Sequence, residues 1–369
     1  MLSSHSVVTA RQDVIRLCHS GLDSVALRRE AMRRLRRILP MDSFWFATAD
    51  PATLLFTGSL VDAIPEKATP LFIANEFLQD DVNKWTRLAS ARPSVNSLYV
   101  ATKGRLADSP RYRDICVPLG FGDELRAALH TGNACWGFMC LHRERKGSNF
   151  TAEEAALLAD LAPHLGQGLR AALLFDHVEE TDSDGPGLLL LAEDLSLAST
   201  AAAGERWLSE IADWPTRREL PQVVYAAVAR LVALECNQVT SPDLAPRARV
   251  QMRSGQWLVV HASRLSGRGA PGETAVILEP ARLAEVAPLL LQAYGLTHRE
   301  AEVAQLVLRG LGTAGIASSL AISELTVQQH LKSIFDKTGV GSRRELVAHM
   351  FHEHHRHRAA SAETRQEKH

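Results

Sequence analysis

Between Leu296 and Phe351, helix starts and stops follow one another too closely for anything but a cluster of four short helices. Thr297-His-Arg-Glu300 is a capping box, in which the threonine side chain takes a backbone N–H and the glutamate reaches back to the cap. Gly310 stops that helix, because glycine alone adopts the left-handed closing turn without strain. Thr313 stands where it can cap a second helix carrying Ile316 and Leu320. Ala321-Ile322-Ser323 is a tight connection, with Ser323 as N-cap of a third helix that runs to about Lys337 and ends at Gly339. Ser342-Arg-Arg-Glu345 is a further capping box and opens the fourth helix. Helix, three-residue turn, helix is the arrangement that lays a helix in the major groove of DNA.

The third helix divides into two faces. At 100° per residue, Val327, Leu331, Ile334 and Phe335 share one side and must pack on the preceding helix. Leu325, Gln329, Lys332 and Asp336 point away, with Gln328 and Ser333 on the flanks. Glutamine can bond the adenine edge bidentately, and lysine can bond guanine O6 and N7. From Leu325 to Arg344, Lys332, Lys337, Arg343 and Arg344 stand against Asp336, which makes a local cationic patch. The patch matters because the whole chain carries a formal charge of −1, so attraction to nucleic acid cannot come from net charge.

Leu296-Thr-His-Arg-Glu-Ala-Glu-Val303, Gly310, Ile316-Ala317, Leu320, Ile322-Ser323, Thr326-Val327, His330-Leu331, Ile334, Lys337, Gly339-Val340 and Ser342-Arg343 together resemble the LuxR-type (GerE) DNA-binding domain. The resemblance implies an all-α four-helix domain that binds double-stranded DNA. It implies that Gln328, Gln329 and Lys332 face base edges and that Thr326, Ser333, Lys337 and Arg343 lie near phosphates. RNA polymerase is the expected protein partner. Three residues depart from the pattern. Gly315 replaces a polar helix former, at a cost of ~1 kcal/mol. Gln328 stands where a cation is usual, and Asp336 would repel a phosphate that came close.

At 369 residues the chain is too long for one core. Glu179–Gly187 (EETDSDGPG) reads as a linker, and Tyr294-Gly295 as a second break. The expected domains are 1–178, 188–292 and 296–353, followed by a disordered, polar, His-rich tail over 354–369. The first opens with a helix striped by Leu22, Val25, Met32, Leu35 and Leu39 and continues with strands near Ser43–Ala49 and Ala134–His142. It closes on a helix capped by Thr151-Ala-Glu-Glu154, in which Leu157, Leu161, Leu165, Leu169 and Leu173 form a core-facing or helix-pairing stripe. The second reads as a hairpin over Leu188–Thr200 turning at Glu193-Asp194, helices over Ala202–Ile211 and Leu220–Leu234, and strands over Arg247–Arg253, Gln256–Arg264 and Thr274–Leu278. That order makes a small antiparallel α+β domain.

Tyr112-Arg, Pro118-Leu-Gly120, Glu124-Leu-Arg126, Trp136-Gly-Phe-Met and Phe150-Thr-Ala-Glu-Glu154 resemble the GAF-like α/β sensor domains fused to LuxR-type regulators. Leu188–Thr200, the Gly255-Gln-Trp-Leu258 turn and Glu273–Pro280 resemble a PAS-like α+β domain. The expected fold class is therefore multidomain α+β with an all-α C-terminal domain. Both sensor resemblances imply an unidentified small-molecule ligand or subunit pairing, hence a homodimer. There is no Asp-Asp/Lys constellation of a phosphoacceptor receiver, and no acylated-lactone-binding domain is apparent.

Other chemistry finds less purchase. No signal-peptide pattern opens the chain, its longest apolar runs fall short of a membrane span, and its five scattered cysteines fit a reducing cytoplasm rather than a disulfide framework. Neither a metal nor a cofactor is expected. The Arg28–Arg37 run (RREAMRRLRR) reads as the solvated face of an amphipathic helix. Cys135 and Cys140 sit in a strand on opposite faces and read as buried structural thiols. A redox or haem-type signalling protein using His130 or His142, or a GAF-based thiol enzyme using Cys135 or Cys140, is the alternative. Such an enzyme needs a low-pKa thiolate beside cations or a helix N-terminus, which Ala134–His142 does not supply, so no catalytic residue is assigned. His349, His352, His354, His355 and His357 could present pairs to a metal but lack a fixed frame.

Overall fold

The computed structural model describes residues 4–175, 185–192, 194–211, 220–236, 244–265 and 273–355. Most of the expected linker and all of the expected tail beyond His355 lie outside these residues, as do the side chains of His352, His354 and His355. The described residues form two compact units, the first ending near Glu279 and the second built mainly from Pro280 onward.

The first unit contains two antiparallel sheets. Helices α1 (Ser4–Cys18) and α2 (Ser24–Leu35) precede strands β1 (Ser43–Ala49) and β2 (Phe56–Asp62). Then follow α3 (Thr69–Leu78), α4 (Trp85–Ser90), β3 (Val95–Ser97), α5 (Leu98–Ala101), β4 (Phe121–Thr131), β5 (Ala134–Glu144) and α6 (Ala152–Phe175). The sheet order is β2-β1-β5-β4-β3. Helices α1, α2 and α6 pack together, and α6 lies on β4 and β5. Within the α6 stripe Leu161, Leu165 and Leu169 are buried, while Leu157 and Leu173 are half-buried, so most of the stripe is spent in the core.

Helix and sheet meet there at close range, in part through backbone. A Cβ on Gly137 of β5 would fall 2.5 Å from both Ala47 O and Leu169 Cδ1. One on Gly166 of α6 would fall 2.7 Å from His130 O. Only glycine permits so close an approach.

The expected solvated arginine face of α2 needs one correction. Arg33 and Arg34 pair with Glu30, and Arg29, Arg36 and Arg37 are exposed, but Arg28 is only 2% exposed. Its Nε donates to Ser24 O at 3.1 Å and its Nη1 to Phe46 O at 3.3 Å, so its charge is spent tying α2 to β1. Charge patterning alone could not separate it from its neighbours, because only the tertiary fold supplies its acceptor.

The second sheet comprises β6 (Gly187–Leu191), β7 (Leu197–Thr200), β8 (Arg247–Gln251), β9 (Trp257–Arg264) and β10 (Thr274–Pro280), in the order β7-β6-β10-β9-β8. Between β7 and β8 run α7 (Ala202–Glu210) and α8 (Gln222–Glu235). Helix α8 is buried almost all round, from Val223 through Arg230, because it packs on α3 and β2 as well as on β8. A helix apolar on every side must be covered on every side, and this one joins the two halves into one unit. The junction is also polar. Arg249 clasps Asp50 with Nη2 at 2.5 Å and Nε at 2.8 Å, and Trp45 Nε1 donates to Gln222 Oε1 at 2.8 Å.

The second unit opens with α9 (Leu283–Ala293), followed by α10 (His298–Leu308), α11 (Thr313–Leu320), α12 (Glu324–Thr338) and α13 (Arg343–His355). The sequence places residues 283–292 in the preceding domain, whereas α9 packs on α10 and α13. Val286, Leu289, Leu290 and Leu291 are buried, and Tyr294 Oη lies 2.6 Å from His349 Nε2. A fragment beginning at Pro280 should therefore resist urea better than one beginning at Leu296. Each of the four lost aliphatic side chains contributes about 1.5–3 kcal/mol when buried, which the entropy of ordering α9 partly offsets, so the expected gap is at least about 3 kcal/mol. Equal midpoints by circular dichroism would refute the assignment of α9 to this unit.

Candidate nucleic-acid interface

Each boundary of the α10–α13 cluster is held by a named contact. Thr297 Oγ1 accepts from Glu300 N at 3.3 Å while Glu300 Oε2 accepts from Thr297 N at 2.7 Å, which completes the capping box. Gly310 closes α10 at φ 86° and Gly339 closes α12 at φ 71°. Helix α11 starts from Gly312 without a side-chain cap. Thr313, expected as that cap, sits in the first turn, and its Oγ1 accepts from Arg343 Nη2 at 2.7 Å. Ala321 turns the chain between α11 and α12 at φ 51°, a left-handed conformation that costs alanine about 1 kcal/mol. Ser323 then caps α12, its Oγ accepting from Thr326 N at 3.1 Å.

On α12, Val327, Leu331, Ile334 and Thr338 are buried. Gln328, Gln329, Lys332 and Asp336 are exposed, and Leu325 is 66% exposed. Two amides and an ammonium thus stand together on the open side of a helix fixed at both ends. Phe335, expected in the apolar stripe, is only half-buried.

The four residues expected near phosphates are placed differently from one another. Thr326 is at the leading turn, its Oγ1 2.8 Å from Ser323 Oγ. Ser333 donates to Glu300 Oε1 at 2.6 Å, and Lys337 Nζ donates to Glu300 Oε2 at 2.6 Å. Arg343 Nη1 donates to Leu311 O at 3.2 Å, so this guanidinium braces the start of α11 against α13. The cationic patch between Leu325 and Arg344 is therefore partly neutralised by Glu300 of α10. Lys332 and Arg344 remain exposed.

Glu300 was legible only as a capping residue. Its side chain is 7% exposed, and its two oxygens serve the cap, Ser333 and Lys337 together. Burial pushes its carboxyl upward, but the hydrogen bonds from Lys337, Ser333 and Thr297 outweigh burial and hold it at about 2.

The interior of the first sheet carries a second polar cluster. Glu124 and Arg126 on β4 point to the same face, as residues two apart on a strand do. Glu124 Oε1 lies 2.9 Å from Arg111 Nη2 and 2.8 Å from Arg126 Nε, and Arg126 Nη1 reaches Glu76 Oε2 at 2.9 Å. Arg111 also donates to Asn75 Oδ1 and Val82 O, both at 3.1 Å, and Arg126 lies over the Trp85 ring at 4.3 Å. Burial pushes the Glu124 carboxyl up, but the two guanidiniums hold it well below the usual carboxylate range. The i, i+2 charges of Glu124-Leu-Arg126 are the sequence signal for this network; Glu76, Asn75 and Arg111 carried none.

Glu124, Cys140 and His142 each bring one potential metal-ligand atom within 4.8 Å of the others. Both guanidiniums already on Glu124 oppose a cation there. Burial pushes the Cys135 thiol up to about 12 and the Cys140 thiol well above its ordinary value. Neither is the low-pKa thiolate that thiol chemistry demands. His142 stacks on Phe121 at 4.4 Å between ring centroids, and His130 Nε2 lies 2.7 Å from Ala89 O. Both imidazoles are thus engaged within the protein.

A capped helix pair with an exposed polar face defines a helix-turn-helix domain. Residues 295–350 match the family model described as bacterial regulatory proteins, luxR family, and residues 23–169 match the GAF domain model. The chain therefore carries a LuxR-family helix-turn-helix and a GAF domain. A putative HTH-type transcriptional regulator in the exeN 3′ region of Aeromonas salmonicida is 49% identical over 51 residues, 14% of this chain and 26% of that protein. The chain thus spans about a quarter of that relative's length. Among solved structures, the VqsR LBD domain from Pseudomonas aeruginosa is 16% identical, covering 46% of this chain and 96% of that one at TM-score 0.32. The VqmA-ligand-DNA complex of Vibrio cholera is 17% identical, covering 46% and 81% at TM-score 0.22. These two structural likenesses are too slight to bear on fold or function.

The Glu300 clamp sets a pH dependence. Its folded pKa, about 2, lies below the ordinary carboxyl value of 4.5, so the stabilisation is complete above pH ~4.5 and disappears as pH falls toward 2. Lys337 is a third exposed, and solvent screening limits the effect to about 1–2 kcal/mol. Glu300→Gln should lower stability at pH 7 by that amount and flatten acid unfolding between pH 4.5 and 2. A variant that keeps the wild-type acid profile would show that the clamp contributes nothing.

Proposed function

We propose that this chain is a cytoplasmic transcription regulator that binds double-stranded DNA as a homodimer. In this reading α12 lies in the major groove, the GAF domain and a PAS-like second half respond to a small molecule, and RNA polymerase is the protein partner. The observation that carries it is the open face of α12, where Gln328, Gln329 and Lys332 are exposed behind the Ser323 cap. The second sheet, β7-β6-β10-β9-β8 with α7 and α8 between β7 and β8, has the strand order of the first and supports an α+β sensor-type second half, read here as PAS-like. Among the described residues no helix is long and apolar enough to cross a membrane.

Gln329 and Lys332 are assigned to base edges, with Gln328 beside them, and Thr326, Ser333, Lys337 and Arg343 to phosphates. The clamp refines the second group. A lysine ammonium has three N–H donors, so Lys337 can hold Glu300 and a phosphate together. Ser333 has one, already given to Glu300, and can reach a phosphate only by releasing it.

The test begins by selecting the preferred duplex from a random library and titrating it beside a scrambled duplex at several salt concentrations. Gln329→Ala and Lys332→Ala should each cost about 1–3 kcal/mol on the selected site and relax its preference. Lys337→Ala should weaken both duplexes about equally and lower the salt slope by roughly one ion. Identical specific-to-scrambled ratios for Gln329→Ala and Lys337→Ala would overturn the face assignment. Sedimentation at micromolar concentration should give a dimer; a monomer both with and without DNA would overturn that part.

A further inference from the structure

Resting on the sensor reading, we propose that a cleft between β2, α3, α4 and α8 binds a small organic carboxylate with an aromatic body, the carboxylate received by Arg230. The cleft holds about 340 Å³, within the range of small-ligand sites. Phe56, Phe77 and Trp85 line it, and Arg230 reaches into it from α8. An aromatic floor with one convergent cation suits a flat ring bearing an acid group.

Arg230 is the unusual element. It is 2% exposed and stacks over Phe77 at 5.2 Å, yet among the described residues it forms no ion pair. Nη1 donates to Thr53 O at 3.3 Å and to Leu244 O at 3.1 Å, both neutral acceptors. Nε is buried with no hydrogen-bond partner. Nη2 has no hydrogen-bond partner among the described residues, and it is not among the sealed, unsatisfied atoms. Nη2 therefore remains as the donor group open to the cleft. Burial lowers the pKa of Arg230 to about 10, with Glu76 only partly opposing it. A buried cation opposed only by a carboxylate that it does not contact is costly, and a carboxylate accepting from Nη2 would offset that cost.

The other charged groups at the cleft are already committed. Glu76 accepts from Arg126 and, at 2.8 Å, from Trp85 N. Lys84 Nζ donates to the carbonyls of Asn75, Glu76 and Gln79 at the end of α3. Asp80 and Arg87 pair at 3.5 Å on the exposed rim. Arg230 is thus the buried cation left for an anion. Because α8 belongs to the second sheet's half and the aromatic wall to the first, an occupant would touch both halves of the sensor unit.

The experiment titrates the full-length protein with benzoate, phenylacetate and indole-3-acetate, each beside its neutral amide. Tryptophan fluorescence and calorimetry report binding, and thermal unfolding reports stabilisation. At least one carboxylate should saturate with a Kd below the order of 1 mM, raise the unfolding temperature, and bind at least about tenfold tighter than its amide, as a charge-assisted pair requires. Arg230→Met should lose that selectivity, and Arg230→Lys should keep only part of it. Circular dichroism establishes that each variant is folded, and the carboxylate–amide comparison on the wild-type chain decides the matter even if a variant is not. Failure of all three carboxylates to saturate, amides binding equally well, or unaltered binding by folded Arg230→Met would each overturn the proposal. No DNA enters these measurements, so their failure is distinct from failure of the regulator reading.

Discussion

Glu300 fixes the direction in which α12 faces. One nearly buried carboxylate closes the cap of α10 and holds Ser333 and Lys337 of α12. Apolar burial by Val327, Leu331 and Ile334 drives the helices together but tolerates small rotations, since hydrophobic contact is not directional. Hydrogen bonds to a charged acceptor are directional and stronger. They fix the rotation of α12, and with it the placing of Gln329 and Lys332, which make no such contact themselves. The Ser323 cap and the Arg343 brace act on the same geometry from the turn and from α13. The open face of α12 is thus set by residues that are not part of it.

The sensor unit applies similar chemistry in its interior. Arg111, Arg126, Glu124 and Glu76 form a buried set in which each charge has an opposite neighbour. Such a set is weak support for stability, because desolvation opposes the Coulombic gain, but removing one member leaves an uncompensated charge. Arg230 lacks that balance. The contrast places one unmet electrostatic demand of this unit at the cleft beside α8.

The sequence was most legible where local rules decide structure. Capping boxes, glycine stops and the 100° periodicity of α12 depend on neighbours a few residues away, and they located the C-terminal helices and the exposed face. Antiparallel strands were legible where alternation or turn residues marked them, as over Leu188–Thr200. Long-range partners were hidden. Nothing around Arg28 announces that its acceptor is Phe46 O, and nothing in Glu300 beyond its cap position announces Lys337. Helix α9 looked like the end of the second region because its apolar side chains do not say which surface they cover. The union of the two sheets through α8 and through Asp50–Arg249 was likewise invisible, since it joins residues far apart in the chain.

The glycines beneath α6 have a mechanical consequence. A helix seated on side chains can creep or roll by exchanging rotamers, but one seated on peptide groups has no such slack. Gly166 rests against the His130 carbonyl and Gly137 leaves room for the Leu169 side chain, so α6 sits on its sheet partly through backbone and partly through its buried leucines. A side chain at position 166 would have to lift α6 off β4, so this glycine sets how closely the helix can approach the sheet.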